Sequence, residues 1–66
     1  MKKKFNENLR LARNGVGLTQ KQVADKLGVV ESCYAKWEQG RAEPNIENLI
    51  KLCEIFDISL DDLING

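Results

Sequence analysis

Apolar residues along this chain recur every three or four positions and never alternate over a useful length, a spacing that predicts helices throughout. Phe5, Leu9, Ala12 and Val16, with Leu11 beside them, mark a first amphipathic helix over about residues 5–14, its end bracketed by Gly15 and Gly17. Val23, Ala24 and Leu27 share one face of a second helix starting near Gln20, and Thr19 is placed to cap it, a contribution of about 1 kcal/mol. Gly28 follows as the residue best able to take the left-handed conformation that ends a helix. Val30, Tyr34 and Trp37 form the stripe of a third helix, and Gly40 stops it. The segment RAEPN then holds the one proline, Pro44, which bars helix at its predecessor and marks a loop. Asn45 can cap a fourth helix with the stripe Ile46, Leu49, Ile50, Cys53 and Phe56. After a break at residues 57–59, Leu60, Leu63 and Ile64 lie on a last helical turn or two, with Ser59 as cap and Asp61 and Asp62 near its positive end. The expectation is an all-α, compact five-helix domain covering residues 1–66.

Residues 19–40 are the informative part of that series, because two short helices joined by a tight turn at Gly28 have the form of a helix-turn-helix. Once Val30, Tyr34 and Trp37 are assigned to the core, the face left over is Glu31, Ser32, Cys33, Ala35, Lys36 and Gln39. Trp37 shares the side of Val30 and Tyr34, which favours a core role over base stacking.

Charge changes the picture only through its distribution. Ten basic and ten acidic residues cancel overall. Residues 1–41, however, hold nine basic against four acidic, or +5, and residues 42–66 hold one basic against six acidic, or −5. That polarity suits a molecule with one face toward phosphates, although ordinary solvated helix faces produce it too. Residues 1–4 read as a flexible basic tail, more simply solvated than bound.

Sixty-six residues leave little room for a deep active site, since a domain of this size buries only about 60% of its unfolded surface. With no histidine and two cysteines, neither a zinc site nor a disulfide scaffold is indicated, and no cofactor or metal is expected. Cys53 sits on an apolar stripe as a small core residue; Cys33, on the third helix, is the one that could be exposed and oxidisable. No apolar run approaches the roughly 18 residues of a membrane span, and the basic start is not followed by a signal-peptide core. A cytoplasmic protein is the simplest expectation.

Several short motifs occur together at fixed spacing: Gly17-Leu18-Thr19-Gln20 entering the second helix, Ala24 and Gly28 at the turn, Trp37-Glu38-Gln39-Gly40 leaving the third, Pro44 in the next loop, and the tail Leu60-Asp61-Asp62-Leu63. On these, over nearly its full length, the chain resembles the helix-turn-helix domains of the Cro and phage-repressor type, the Xre-like family. The resemblance implies five helices around one core, and bacterial or phage transcription factors as the functional class. It also implies that the third helix lies in the major groove of double-stranded DNA, with Glu31, Ser32 and Lys36 toward base edges and Cys33 and Ala35 as lesser contacts. Lys36 would donate to guanine, at about 1 to 3 kcal/mol of discrimination for a good pairing, or simply be a solvated charge. Glu31 either accepts from cytosine or complements the positive end of its helix.

Gln20 matches the position where the family clamps a backbone phosphate, with Thr19 and the nearby amides, and Arg41 and Asn45 would bracket a second phosphate. Arg13 and Glu38 match a structural ion pair between the first and third helices. The chain departs from the family in three places. Val30 stands where a capping Ser, Thr or Asp is usual, Tyr34 replaces a buried aliphatic residue and brings a hydroxyl that needs a partner, and Glu31 is acidic where a basic or amide residue is common.

The leading expectation is a sequence-specific DNA-binding transcriptional regulator that acts as a homodimer on a two-fold operator, with Ile58, Leu60, Leu63 and Ile64 as the apolar dimer candidates or, for some of them, core residues. The alternative is a protein-interaction module, such as an antitoxin or an anti-repressor partner, on the same fold. An enzyme is the weakest class, because no nucleophile and base constellation, metal cluster or phosphate loop is present in the sequence.

Overall fold

The computed structural model of the chain describes residues 4–66, and every regular element among them is helical. The order is α1 (Lys4–Val16), α2 (Gln20–Leu27), α3 (Glu31–Glu38), α4 (Ile46–Phe56) and α5 (Leu60–Asn65). α1 is longer than its pattern suggested at both ends. Lys4 already belongs to it and so is not part of the expected basic tail, whose residues 1–3 lie outside the described residues. Gly15 lies within the helix rather than bracketing it, and the turn falls at Gly17.

The helix starts follow local chemistry. Thr19, Asn45 and Ser59 each accept a hydrogen bond from the amide three residues on, at 3.1, 2.8 and 3.0 Å. At α2 the arrangement is reciprocal, since Gln22 accepts from the Thr19 amide at 2.8 Å and completes a capping box. α3 has no such cap: Val30 occupies the position in extended backbone and offers no side-chain acceptor.

The helix ends of α1 to α4 use one device. In each, an amide one residue past a left-handed turn reaches back five positions: Leu18 to Arg13, Val29 to Ala24, Arg41 to Lys36 and Ile58 to Cys53, at 2.9 to 3.3 Å. The left-handed residue is a glycine three times and Asp57, at φ 54°, the fourth. At Gly40 a Cβ would also meet the end of the Asn6 side chain on α1, at 2.5 Å, which would have to turn aside.

One core gathers Phe5 and Leu9 from α1, Val23, Ala24 and Leu27 from α2, Tyr34 and Trp37 from α3, Leu49, Leu52 and Phe56 from α4, and Leu63 from α5. Tyr34 and Trp37 meet edge to face at a centroid distance of 5.7 Å. Ala24 is fully buried, and its small side chain lets the second and third helices approach. The Asn8 amide donates to the Leu63 carbonyl at 3.0 Å and ties α1 to α5.

The core corrects the apolar pattern at five residues. On α4 the inward stripe is Leu49, Leu52 and Phe56 with Cys53 half-buried beside it, whereas Ile46 and Ile50 are 63% and 54% exposed. Positions 49, 52, 53 and 56 keep the helical repeat; Ile50 stands about 100° around the axis from Leu49, and Ile46 lies in the first turn, beyond the core edge. Val30 is 68% exposed instead of core, since it precedes α3 in extended backbone. Leu11 and Val16 on α1 are exposed as well.

Candidate nucleic-acid interface

α3 turns Tyr34 and Trp37 inward, which sends Glu31, Ser32, Lys36 and Gln39 outward along one face with the half-buried Ala35 between them. Cys33 lies at the margin of that face. It is half-buried, as Ala35 is, and packed against the core, so its thiol is less open to solvent than its place on the third helix suggested. Val30 extends the exposed strip at its N-terminal end.

Beside its buried Tyr34 and Trp37, α3 is tied to its neighbours by a single carboxylate. Glu38, at the last turn of α3, has a side chain only 4% exposed. Its Oε2 accepts from Arg13 Nε at 2.7 Å and from the Tyr34 hydroxyl, and its Oε1 accepts from Arg13 Nη2 at 3.1 Å and Gln20 Nε2 at 3.0 Å. Arg13 also donates through Nη1 to the Leu18 carbonyl at 3.0 Å, in the turn between α1 and α2. Side chains of three helices therefore converge on two oxygens, and Arg13 links them to the loop. Burial alone would push the Glu38 carboxyl up, but the bonds from Arg13, Tyr34 and Gln20 outweigh it and hold the carboxyl below its ordinary value. The hydrogen bond to Glu38 raises Arg13, and burial followed by the same carboxylate pushes the Tyr34 hydroxyl far up, so it stays protonated and donating.

This network contains the Arg13–Glu38 pair that the family pattern implies and supplies the partner that the Tyr34 hydroxyl requires. It also engages Gln20, whose side chain was expected to face a phosphate; one of its two amide protons goes to Glu38 instead. The participation of Gln20 and Tyr34 was missed from sequence, although Tyr34 and Glu38 stand four apart on one helix and so share a face. The other phosphate candidates are at the surface. The Thr19 hydroxyl oxygen is occupied as a cap, Asn45 accepts from the Asn48 amide with its side-chain oxygen, and Arg41 is exposed.

Of the four apolar residues expected at a dimer surface, Leu63 is fully buried in the core and is removed from that set. Ile58 and Ile64 are half-buried and Leu60 is 38% exposed. Ile58 and Leu60, with Ile50, Cys53, Glu54 and Ser59, line an open cleft of about 300 Å³ between α4 and α5. Burial pushes the Cys53 thiol up, which keeps its thiolate fraction low. Among the described residues, no group of three or more His, Cys, Asp or Glu side chains is placed to hold a metal ion, and no helix is long and apolar enough to cross a membrane.

Two short helices joined through a left-handed glycine, packed on three others with one helix face left in solvent, define a helix-turn-helix domain. The Helix-turn-helix family model matches residues 9–63, and the chain belongs to that family. It is 44% identical over 62 residues to the uncharacterized HTH-type transcriptional regulator YqaE of Bacillus subtilis, covering 94% of this chain and 53% of that protein. Over 62 residues it is 40% identical to the HTH-type transcriptional activator BcrR of Enterococcus faecalis, covering 94% of this chain and 30% of that protein. The chain thus spans about half or less of the length of these relatives. Among solved structures, the P22 c2 repressor in complex with a synthetic operator superposes with a TM-score of 0.87 at 31% identity, covering 94% of both chains. Its relatives are transcriptional regulators, a class that acts without catalysis.

Proposed function

We propose that the chain binds double-stranded DNA as the reading part of a transcriptional regulator, with α3 in the major groove. The observation that carries this is the exposed face Glu31, Ser32 and Lys36 on a helix whose opposite side is locked to α1 and α2 through Glu38. A rigid helix with polar side chains on its outer face is what base readout requires. The likeness to a repressor solved on its operator supports the same reading. Ser32 and Lys36 read bases, Glu31 accepts from cytosine N4, and Ala35 lies close to the groove floor. Gln20 and Thr19 at the start of α2, and Arg41 with Asn45 at the start of α4, take backbone phosphates, which set register and supply salt-dependent affinity.

The regulator acts as a homodimer in the cytoplasm, on a two-fold operator. Two bodies of 25 × 23 × 20 Å in contact can present their α3 helices about 34 Å apart, one turn of B-DNA. The α4–α5 cleft with exposed Ile50 and Leu60 is the apolar surface for that contact, flanked by Ile58 and Ile64.

Selection of bound fragments from random duplexes, repeated with Lys36→Ala and Ser32→Ala, tests the reading. Each variant should relax the preference at its own base position. Retention of the parental preference by both would remove α3 as the reading element. Binding with no salt dependence would remove the phosphate contacts as well.

A further inference from the structure

The Gln20 side chain is ordered before any ligand arrives. Its amide carries two N–H donors, one of which goes to Glu38 Oε1 at 3.0 Å. The direction of the second is therefore set by the carboxylate on which the amide leans. That carboxylate is gripped from two helices, by Arg13 of α1 across both oxygens and by the Tyr34 hydroxyl of α3 on Oε2. The last torsion of a glutamate is a broad, two-fold well, so these donors decide its setting. Tyr34 differs from Arg13 in one respect: it lies one turn before Glu38 on the same helix, with its ring fully buried, and so it fixes the carboxylate relative to α3 itself. An aliphatic residue would fill the space of the ring and leave that anchor out.

We propose that Tyr34 is a positioning residue for phosphate binding: through Glu38, its hydroxyl orients the Gln20 amide so that the second N–H donates to a DNA phosphate, coupling that contact to the seating of α3. The proposal rests on the DNA-binding reading above. A side chain fixed in advance loses less rotamer freedom on binding, which is how the hydroxyl contributes to affinity without touching DNA.

Tyr34→Phe keeps the ring and removes the hydroxyl. Two measurements on the intact chain test the proposal: the side-chain amide NMR signals of Gln20 without DNA, and affinity for a short duplex of arbitrary sequence at low salt, because phosphate contacts carry no sequence information. In Tyr34→Phe the Gln20 amide signals should shift toward those of a solvated glutamine, and affinity should fall roughly two- to tenfold. In a Gln20→Ala background the same substitution should leave affinity unchanged, an outcome that a merely structural role for Tyr34 does not produce. Equal losses in both backgrounds overturn the proposal, as does a Tyr34→Phe chain with parental affinity and unmoved Gln20 signals, and both results leave DNA binding standing. Failure of the parental chain to bind any duplex overturns the DNA-binding reading and this proposal together, whatever the Gln20 signals show.

Discussion

The two ends of this domain are held together by different kinds of force. At the α1–α2–α3 end, Glu38 collects four directional hydrogen bonds from three side chains and fixes the relative height of the helices. At the α4–α5 end the contacts are mainly apolar, with the one Asn8-to-Leu63 hydrogen bond from α1 beside them, and they leave a cleft with Ile50 and Leu60 in solvent. Directional bonds specify one geometry, as a reading helix needs, whereas apolar contact is tolerant of angle and gains from whatever covers it. The difference matches the division of labour proposed for the two ends: one reads, the other pairs.

The largest effect should come from removing the charge at the polar end. Glu38→Gln keeps the shape but strands the Arg13 guanidinium, whose side chain is only 14% exposed, without a counter-charge. Breaking a buried pair in this way costs roughly 3–5 kcal/mol, and the residual exposure of Arg13 places the loss at the lower end. Chemical denaturation measures it. A loss below about 1 kcal/mol would mean that packing alone holds α3, and the contrast between the two ends would collapse. Acid should act on the same group. Because the folded-state value of Glu38 lies below its ordinary 4.5, its contribution is complete above that value and is lost as pH falls through the lower folded-state one. The parental chain should therefore lose more stability between neutral pH and pH 3 than Glu38→Gln does.

A loss of comparable size at one site and almost none at its neighbour is expected for a pair of substitutions on α4. Leu52→Ala removes a fully buried side chain and should cost about 2–5 kcal/mol, while Ile50→Ala at an exposed site should change the stability of the monomer by about 0.5 kcal/mol or less. Ile50→Glu should in turn shift the sedimentation coefficient toward the monomer without lowering the melting temperature of dilute protein. If Ile50→Ala proved as costly as Leu52→Ala in dilute protein, the cleft would be part of the core, and the apolar end would have no surface left for pairing.

These two leucine and isoleucine positions also show where the sequence became ambiguous. Between residues 46 and 56 apolar side chains are dense enough to support more than one stripe, and only tertiary packing chooses Leu52 over Ile46 and Ile50 for the inward face. Leu63 looked like a surface candidate because a six-residue helix is too short to reveal its phase. Local chemistry was far easier to read. Thr19, Asn45, Ser59 and Gly28 act within a turn of their own backbone, so residue type alone indicated what each does. Of the residues expected on the outer face of α3, Glu31, Ser32 and Lys36 are exposed, whereas Cys33 and Ala35 are half-buried at the margin between stripe and solvent. The Glu38 network was partly visible: the Arg13 partner followed from the family resemblance, but the bonds from Gln20 and Tyr34 depend on how α2 and α3 cross, which spacing along the chain does not encode.

The smallest predicted effect lies at the junction of α4 and α5, where the apolar end makes its turn without a glycine. Asp57 sits at φ 54° in the position that Gly28 holds between α2 and α3, and a left-handed backbone costs a residue with a Cβ roughly 1 kcal/mol, less for Asp than for most. Its charge also lies at the negative end of α4, although it precedes the positive end of α5, so those two dipole interactions largely offset one another. Asp57→Gly relieves the backbone but gives the unfolded chain more freedom, and the balance should be a gain of about 0.5 kcal/mol. Asp57→Asn, which keeps the Cβ and removes the charge, should be neutral. Thermal melts of both variants separate the contributions: a loss in Asp57→Gly matched by an equal loss in Asp57→Asn would show that the carboxylate anchors the start of α5, and the apolar end would then depend on a directional polar contact after all.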